Sequence, residues 1–147
     1  MITKLQKVNN SDRVRLQTYP VSEIFDFIDA KLAVGLTASD LGKFQRVSLK
    51  WYYTDAKGLR MSVRRAIVFH QKGVDCKCGM HGQFFALERS SDNSLHLDLY
   101  AIDDVNDEVL MTIDHINPKS KGGLDNLDNY ATLCWPCNFT KADNTQK

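Results

Sequence analysis

The stretch that decides the reading is Leu110–Lys141, LMTIDHINPKSKGGLDNLDNYATLCWPCNFTK. It opens with an Asp-His pair, Asp114 and His115, followed by Pro118. A Gly-rich turn comes next at Gly122 and Gly123, then Asn129. A Cys-x-x-Cys knuckle, Cys134 and Cys137, is followed at once by Asn138 and three residues later by Lys141. Hard oxygen donors, an imidazole and soft thiols within one short stretch point to two metal sites of different chemistry lying side by side.

All four cysteines fall in two close pairs, Cys76 with Cys78 and Cys134 with Cys137. In a reducing compartment such pairs read as metal ligands, and in a secreted chain as disulfides. The N-terminal residues lack the apolar core of a secretory signal, and no apolar run approaches the roughly 18 residues of a membrane helix. A cytoplasmic protein is therefore expected, with zinc as the reading of the four thiols and disulfides or free thiols as the alternative. The first pair is Cys-x-Cys, with Asp75 standing where an outer cysteine would complete Cys-x-x-Cys. His81 is close enough in sequence to substitute as a ligand, although a surface histidine is the plainer reading. A zinc staple has a clear task, because the helix expected to start near Pro136 spans about two turns and short helices are marginal alone.

The net charge of +1 conceals an asymmetry. Residues 1–70 carry 12 Lys/Arg against 6 Asp/Glu, and residues 71–147 carry 7 against 12. The acidic half holds the motifs, so a polyanionic partner would have to be drawn by the basic half. Arg60, Arg64 and Arg65 are the candidate phosphate contacts there; the plainer reading is a solvated set of helix faces.

Outward from the motif, the chain divides near residues 72–74. Residues 1–19 read as an irregular or partly extended arm. Tyr19-Pro20 is a break, after which Ser22 caps a helix carrying Ile24, Phe25, Phe27, Ile28, Leu32 and Ala33, stopped by Gly35. Ser39 caps a second helix through Leu41, Phe44 and Val47, followed by the aromatic cluster Trp51, Tyr52 and Tyr53 and a turn at residues 55–58. Helix–turn–helix reading of DNA by residues 37–53 is a weak alternative, and the aromatics read as core sooner than as a base-stacking platform. Ser62 caps a third helix ending at Gly73. The second half turns to strands, at residues 82–87, 95–102 and 108–113, with turns at 90–94 and 103–107. The expected class is α+β: a helical, basic N-terminal region over residues 1–73 and a second unit over residues 74–147.

The motif spacings resemble those of the HNH endonucleases, the ββα-metal nucleases. Asp-His-x-x-Pro, a Gly-Gly turn, an Asn five positions before Cys-x-x-Cys, a polar residue after the second Cys and a Lys three further on make a specific pattern. The resemblance implies a ββα-metal core with one structural zinc on Cys76, Cys78, Cys134 and Cys137. It implies a metal-dependent DNA endonuclease in which His115 is the general base, Asn129 braces the loop, and Asp114 and Asn138 hold one catalytic divalent ion. Asn126 is the rival for the role of Asn129. Asn138 stands where a final His often stands, an H-N-N variant like phage-encoded and homing members. An all-oxygen set favours Mg²⁺ or Mn²⁺. Lys141 shares the helix face of Asn138 and is expected to touch a phosphate. A zinc-stabilised DNA-binding protein without cleavage is the alternative function. One active site cuts one strand per visit, so a double break requires a homodimer or two visits by a monomer.

Overall fold

The computed structural model describes residues 4–8, 11–35, 44–47 and 59–145; over residues 4–8, 11–12, 44–47, 59–62 and 142–145 the backbone alone is described. The elements are β1 (Lys4–Val8), β2 (Ser11–Pro20), α1 (Val21–Ala33), β3 (Phe44–Val47), β4 (Leu59–Ser62), α2 (Arg64–Lys72), β5 (Phe84–Ser90), β6 (Leu95–Ile102), β7 (Glu108–His115), β8 (Tyr130–Cys134) and α3 (Trp135–Thr145). Six strands form one antiparallel sheet in the order β1-β2-β5-β6-β7-β8, and β3 pairs with β4 in a separate hairpin. The α+β class holds.

The hydrophobic core lies between one face of the sheet and the helices α1 and α2. Phe85 and Leu87 of β5, Leu97, Leu99 and Ala101 of β6, Met111 of β7 and Leu133 of β8 supply the sheet side. Ile24 and Ile28 on α1, four residues apart, and Ala66, Ile67 and Phe69 on α2 close over it. The Phe69 and Phe85 rings lie 6.3 Å apart. α2 ends at Gly73, whose φ of 100° favours a residue without Cβ. The hairpin turns into β6 and β7 place Asn93 at φ 72° and Asn106 at φ 65°, a region that Asn tolerates.

Where the N-terminal arm is described it is extended and paired, not irregular: Lys4–Val8 and Ser11–Pro20 are antiparallel neighbours, and β2 pairs with β5 through seven registered positions from Arg13↔Ser90 to Pro20↔Phe84. The polar look of β2 comes from Arg13 and Arg15, which are neutralised inside the fold. Arg15 donates to Glu108 at 2.7 Å from both Nη1 and Nη2 and packs over the Tyr100 ring at 4.9 Å. Arg13 pairs with the buried Asp98. Glu88 is fully buried, and burial pushes its carboxyl up to about 7 although Tyr100 donates to it at 2.7 Å. Two of the basic residues that give the first half its charge are thus consumed by inner carboxylates.

The helical description of the N-terminal region needs further correction. Phe44 and Val47 lie in a strand facing β4, not in a helix. Ser62 is the last residue of β4 and Val63 precedes α2, with no side-chain cap. α1 starts at Val21 after Pro20, leaving Ser22 inside the first turn. Ser39, Leu41, the aromatics at 51–53, the turn at 55–58 and most of the 37–53 segment lie outside the described residues. Among the described residues no helix is long and apolar enough to cross a membrane.

Candidate metal centre and active site

The four cysteines converge. The Sγ atoms of Cys76, Cys78, Cys134 and Cys137 all lie within 4.8 Å of one another, and Cys78 and Cys134 are 3.7 Å apart. Four sulfurs about 2.3 Å from one ion sit at tetrahedral corners about 3.8 Å apart, so the donors and their spacing suit zinc. The Cys-x-Cys spacing works because residues 76–80 fold into a tight knuckle. Met80 O accepts from Cys76 N at 2.7 Å, Cys76 O accepts from Gly79 N at 2.9 Å, and Gly79 has φ 97°. His81 is exposed and bridges Asp75 through the backbone, and the set of four is complete without it. Burial raises the Cys76 thiol, but hydrogen bonds from Cys134 and Cys78 outweigh it and bring it down to about 7. Burial pushes Cys134 far above the ordinary thiol value. Four neighbouring thiols cannot all ionise without a cation among them.

The knuckle ties α3 to the sheet. Cys134 ends β8 and Cys137 lies in the first turn of α3, while Cys76 and Cys78 follow the C-terminal end of α2. α3 runs for 11 residues, a turn longer than the sequence suggested. It packs along β7 and β8, so strand, strand and helix follow one another as a compact unit.

β7 stays in register to its end, with Asp114↔Ala131 and His115↔Tyr130. Alternation therefore sends the two neighbours to opposite faces. Thr112 and Asp114 face α3. Lys141 Nζ bonds Asp114 Oδ2 and also His115 O at 3.1 Å. Asn138 Nδ2 donates to Thr112 Oγ1 at 2.9 Å, while Thr112 gives its own proton to Leu133 O at 2.7 Å. That hydroxyl can only accept from Asn138, which identifies Nδ2 and leaves Asn138 Oδ1 as an acceptor with no partner among the described residues.

Ile113 and His115 face α2. They line a cavity of 330 Å³ with Arg64, Arg65, Val68, Lys119, Asp125 and Tyr130. Arg64 Nη2 donates to Tyr130 Oη at 2.7 Å, and Arg65 Nη1 lies 3.5 Å from Asp98 Oδ1. Arg60 is placed by its backbone alone, in β4 opposite Arg46. An imidazole in a cavity rimmed by three cations can accept a proton beside a bound anion.

Asn129 binds the backbone of the loop between β7 and β8. Its Oδ1 accepts from Asn117 N at 2.8 Å, and its Nδ2 donates to Asn117 O at 3.0 Å and Leu124 O at 2.8 Å. Asn126 accepts from Asn129 N at 3.1 Å and caps a short 3-10 turn, the ordinary task of a turn residue. Asp125 and Tyr130 were not legible as site residues. His115 Nε2 is 2.6 Å from Asp125 Oδ1, and the His115 and Tyr130 rings meet edge to face at 5.2 Å. Lys119, 2.9 Å from Asp125 Oδ2, and His115 draw the Asp125 carboxyl down to about 2. Only the register His115↔Tyr130 could have flagged Tyr130, and register is not visible in a single strand.

No curated protein and no solved structure matches the chain. The family model described as HNH endonuclease matches residues 103–144, from the turn before β7 into α3. The segment that holds Asp114, His115, Asn129, Cys134, Cys137 and Asn138 is thus the part of the chain that is similar to the HNH endonuclease family.

Proposed function

We propose that the protein is a metal-dependent DNA endonuclease that hydrolyses phosphodiester bonds, with β7, β8 and α3 as a ββα-metal core. The observation that carries this reading is His115, at the end of β7 in a cavity rimmed by Arg64, Arg65 and Lys119. In the proposed mechanism His115 is the general base that takes the proton of the attacking water. A phosphodiester lying across the end of the strand meets both faces, so Asp114 and His115 serve one site although their side chains diverge. Arg64 holds a phosphate oxygen while Tyr130 fixes the guanidinium from behind. Asn129 keeps the loop closed.

Asp114 and the Oδ1 of Asn138 would hold one Mg²⁺ or Mn²⁺. The fit rests on Lys141: an ammonium already lies between Asp114 and the carbonyl of His115, so the Asp114 end of this set suits a cation. A bound divalent ion supplies charge to stabilise the developing phosphorane and leaving oxygen. Lys141 is then free to turn to a neighbouring phosphate. The four cysteines would hold a structural zinc.

The two-part organisation also belongs to this reading: residues 1–73 as a DNA-contacting extension and residues 74–147 as the nuclease unit, acting in the cytoplasm. The H-N-N order keeps a phage-encoded or homing type as our reading of its origin, in which case the site of action is the host cytoplasm.

Supercoiled plasmid incubated with the zinc-loaded protein is expected to be nicked when Mg²⁺ is added and to stay intact in mild EDTA. Binding without nicking at any Mg²⁺ or Mn²⁺ concentration would leave a DNA-binding protein and end the nuclease reading. A second measurement addresses the basic face. Neutralising Arg60, Arg64 and Arg65 together is expected to weaken DNA binding on every sequence, lowering the slope of log affinity against log salt by about 0.9 for each phosphate that is no longer neutralised. Equal slopes for the variant and the wild type would move the DNA track elsewhere, to Lys119, Lys121 and Lys141.

A further inference from the structure

The loop between β7 and β8 is braced far more tightly than a connection needs. Pro118 O accepts from both Lys121 N and Gly123 N at 2.9 Å, and Asn129 clamps Asn117 and Leu124 from inside. A Cβ at Gly123 would lie 1.8 Å from Asn117 O, so only glycine fits there. The residue this brace presents, next to the clamped Leu124, is Asp125. Its carboxylate meets His115 Nε2 at 2.6 Å.

The other groups around the ring are Arg64 and Arg65 from α2, Tyr130 from β8 and Lys119 from the loop. The backbone of His115 also receives Lys141 from α3. Arg64, Arg65 and Lys119 are donors without an acceptor atom, and Tyr130 offers its ring edge. Asp125 is therefore the one acceptor among the cavity's charged groups that meets Nε2. Which ring nitrogen carries the proton is set by the bond that the other group makes.

We propose that Asp125 is the positioning residue of His115: its carboxylate holds the Nε2–H and leaves Nδ1 as the atom that takes the proton from water. This rests on the reading of His115 as the base. In the step itself the water O–H bond breaks and its proton goes to Nδ1, giving an imidazolium with a proton on each nitrogen. The oxygen pair released forms the new P–O bond as the bond to the leaving oxygen breaks. Asp125 keeps its charge throughout and faces the proton that stays on Nε2. Asn129 and Gly123 act one step further out, by holding Leu124 and thus Asp125 in place.

The test uses the full zinc-loaded chain labelled with ¹⁵N at histidine, at a pH where His115 is neutral. Long-range ¹H–¹⁵N spectra report the tautomer of each ring, and the His115→Ala spectrum identifies the His115 signals among the four histidines. The wild type is expected to show the Nε2–H form. Asp125→Ala should lose that preference and lower kcat for plasmid nicking in Mg²⁺ by about 10- to 100-fold, as loss of a group orienting a functional imidazole typically does, with KM changed less than kcat. Asp125→Asn should restore the Nε2–H form, because its amide oxygen still accepts, and recover part of kcat. Unchanged zinc content and melting midpoint in both variants separate positioning from misfolding. An Nδ1–H tautomer in the wild type, an unchanged tautomer in Asp125→Ala, or an unchanged kcat in that variant overturns the proposal. If His115→Ala itself retains cleavage, the base reading fails, and the tautomer still decides whether Asp125 holds the ring.

Discussion

His115→Ala is expected to lose about 10² to 10⁴ in the rate of strand cleavage, the usual cost of removing a general base. The loss should fall on the chemical step. Arg64, Arg65 and Lys119 still rim the cavity, so the proposed phosphate contacts stay in place. The imidazole is partly exposed and ends a strand, so truncating it removes one ring edge beside Tyr130 and opens no large core void. Fold, zinc content and DNA affinity should therefore stay close to the wild type. The measurement is single-turnover nicking at saturating protein, beside a binding isotherm on the same DNA. Cleavage at the full wild-type rate would remove His115 from the chemistry, and a matched loss of binding would make it a substrate contact instead.

The second large effect concerns Cys78. Its side chain is exposed, and an exposed Cys→Ser change away from any special feature alters stability by about 0.5 kcal/mol or less. As a zinc ligand the same residue is indispensable. Metal binding in small zinc modules contributes about 10 to 16 kcal/mol that appears as folding free energy, comparable with or above the whole stability of an ordinary domain. Cys78→Ser is therefore expected to lower the zinc content from about one per chain to well below one. It should also lower the melting midpoint by more than about 10 °C, with α3 detaching from β7 and β8. Choosing Cys78 rather than the buried Cys134 avoids confounding ligand removal with a packing defect. Elemental analysis and a thermal melt decide it: a variant as stable as the wild type, or a wild type with no zinc, would refute the staple. Mild EDTA should stop cleavage and leave the zinc in place, since a closed thiolate site holds its ion more tightly than a few exposed oxygens.

The two effects are linked through α3. Asn138 and Lys141, which reach Thr112 and Asp114, lie on the helix whose first turn holds Cys137. A zinc defect should therefore also lower cleavage, whereas His115→Ala should leave the zinc untouched.

Short-range patterns were legible in the chain itself. The ends of α1 and α2 near Gly35 and Gly73, the strand over Leu95–Ile102 and the turns carrying Asn93 and Asn106 follow from local backbone preferences. The cysteine spacing announced a four-thiol site, because ligand types and intervals carry the chemistry of a metal whatever the fold around them. β1, β2 and β3 were not legible, since a strand is stabilised by the partner across the ladder more than by its own residues. The arginines of β2 read as solvent-facing charge until Glu88, Glu108 and Asp98 arrive from other strands. In the same way Asp125 reads as a turn residue in the sequence. Ten positions separate it from His115, and the closed loop, with its Asn129 clamp and the glycine at 123, holds the two 2.6 Å apart. Residue types and spacings marked the four thiols and His115; the partners of that imidazole depend on loop closure and strand register, which only the packed structure determines.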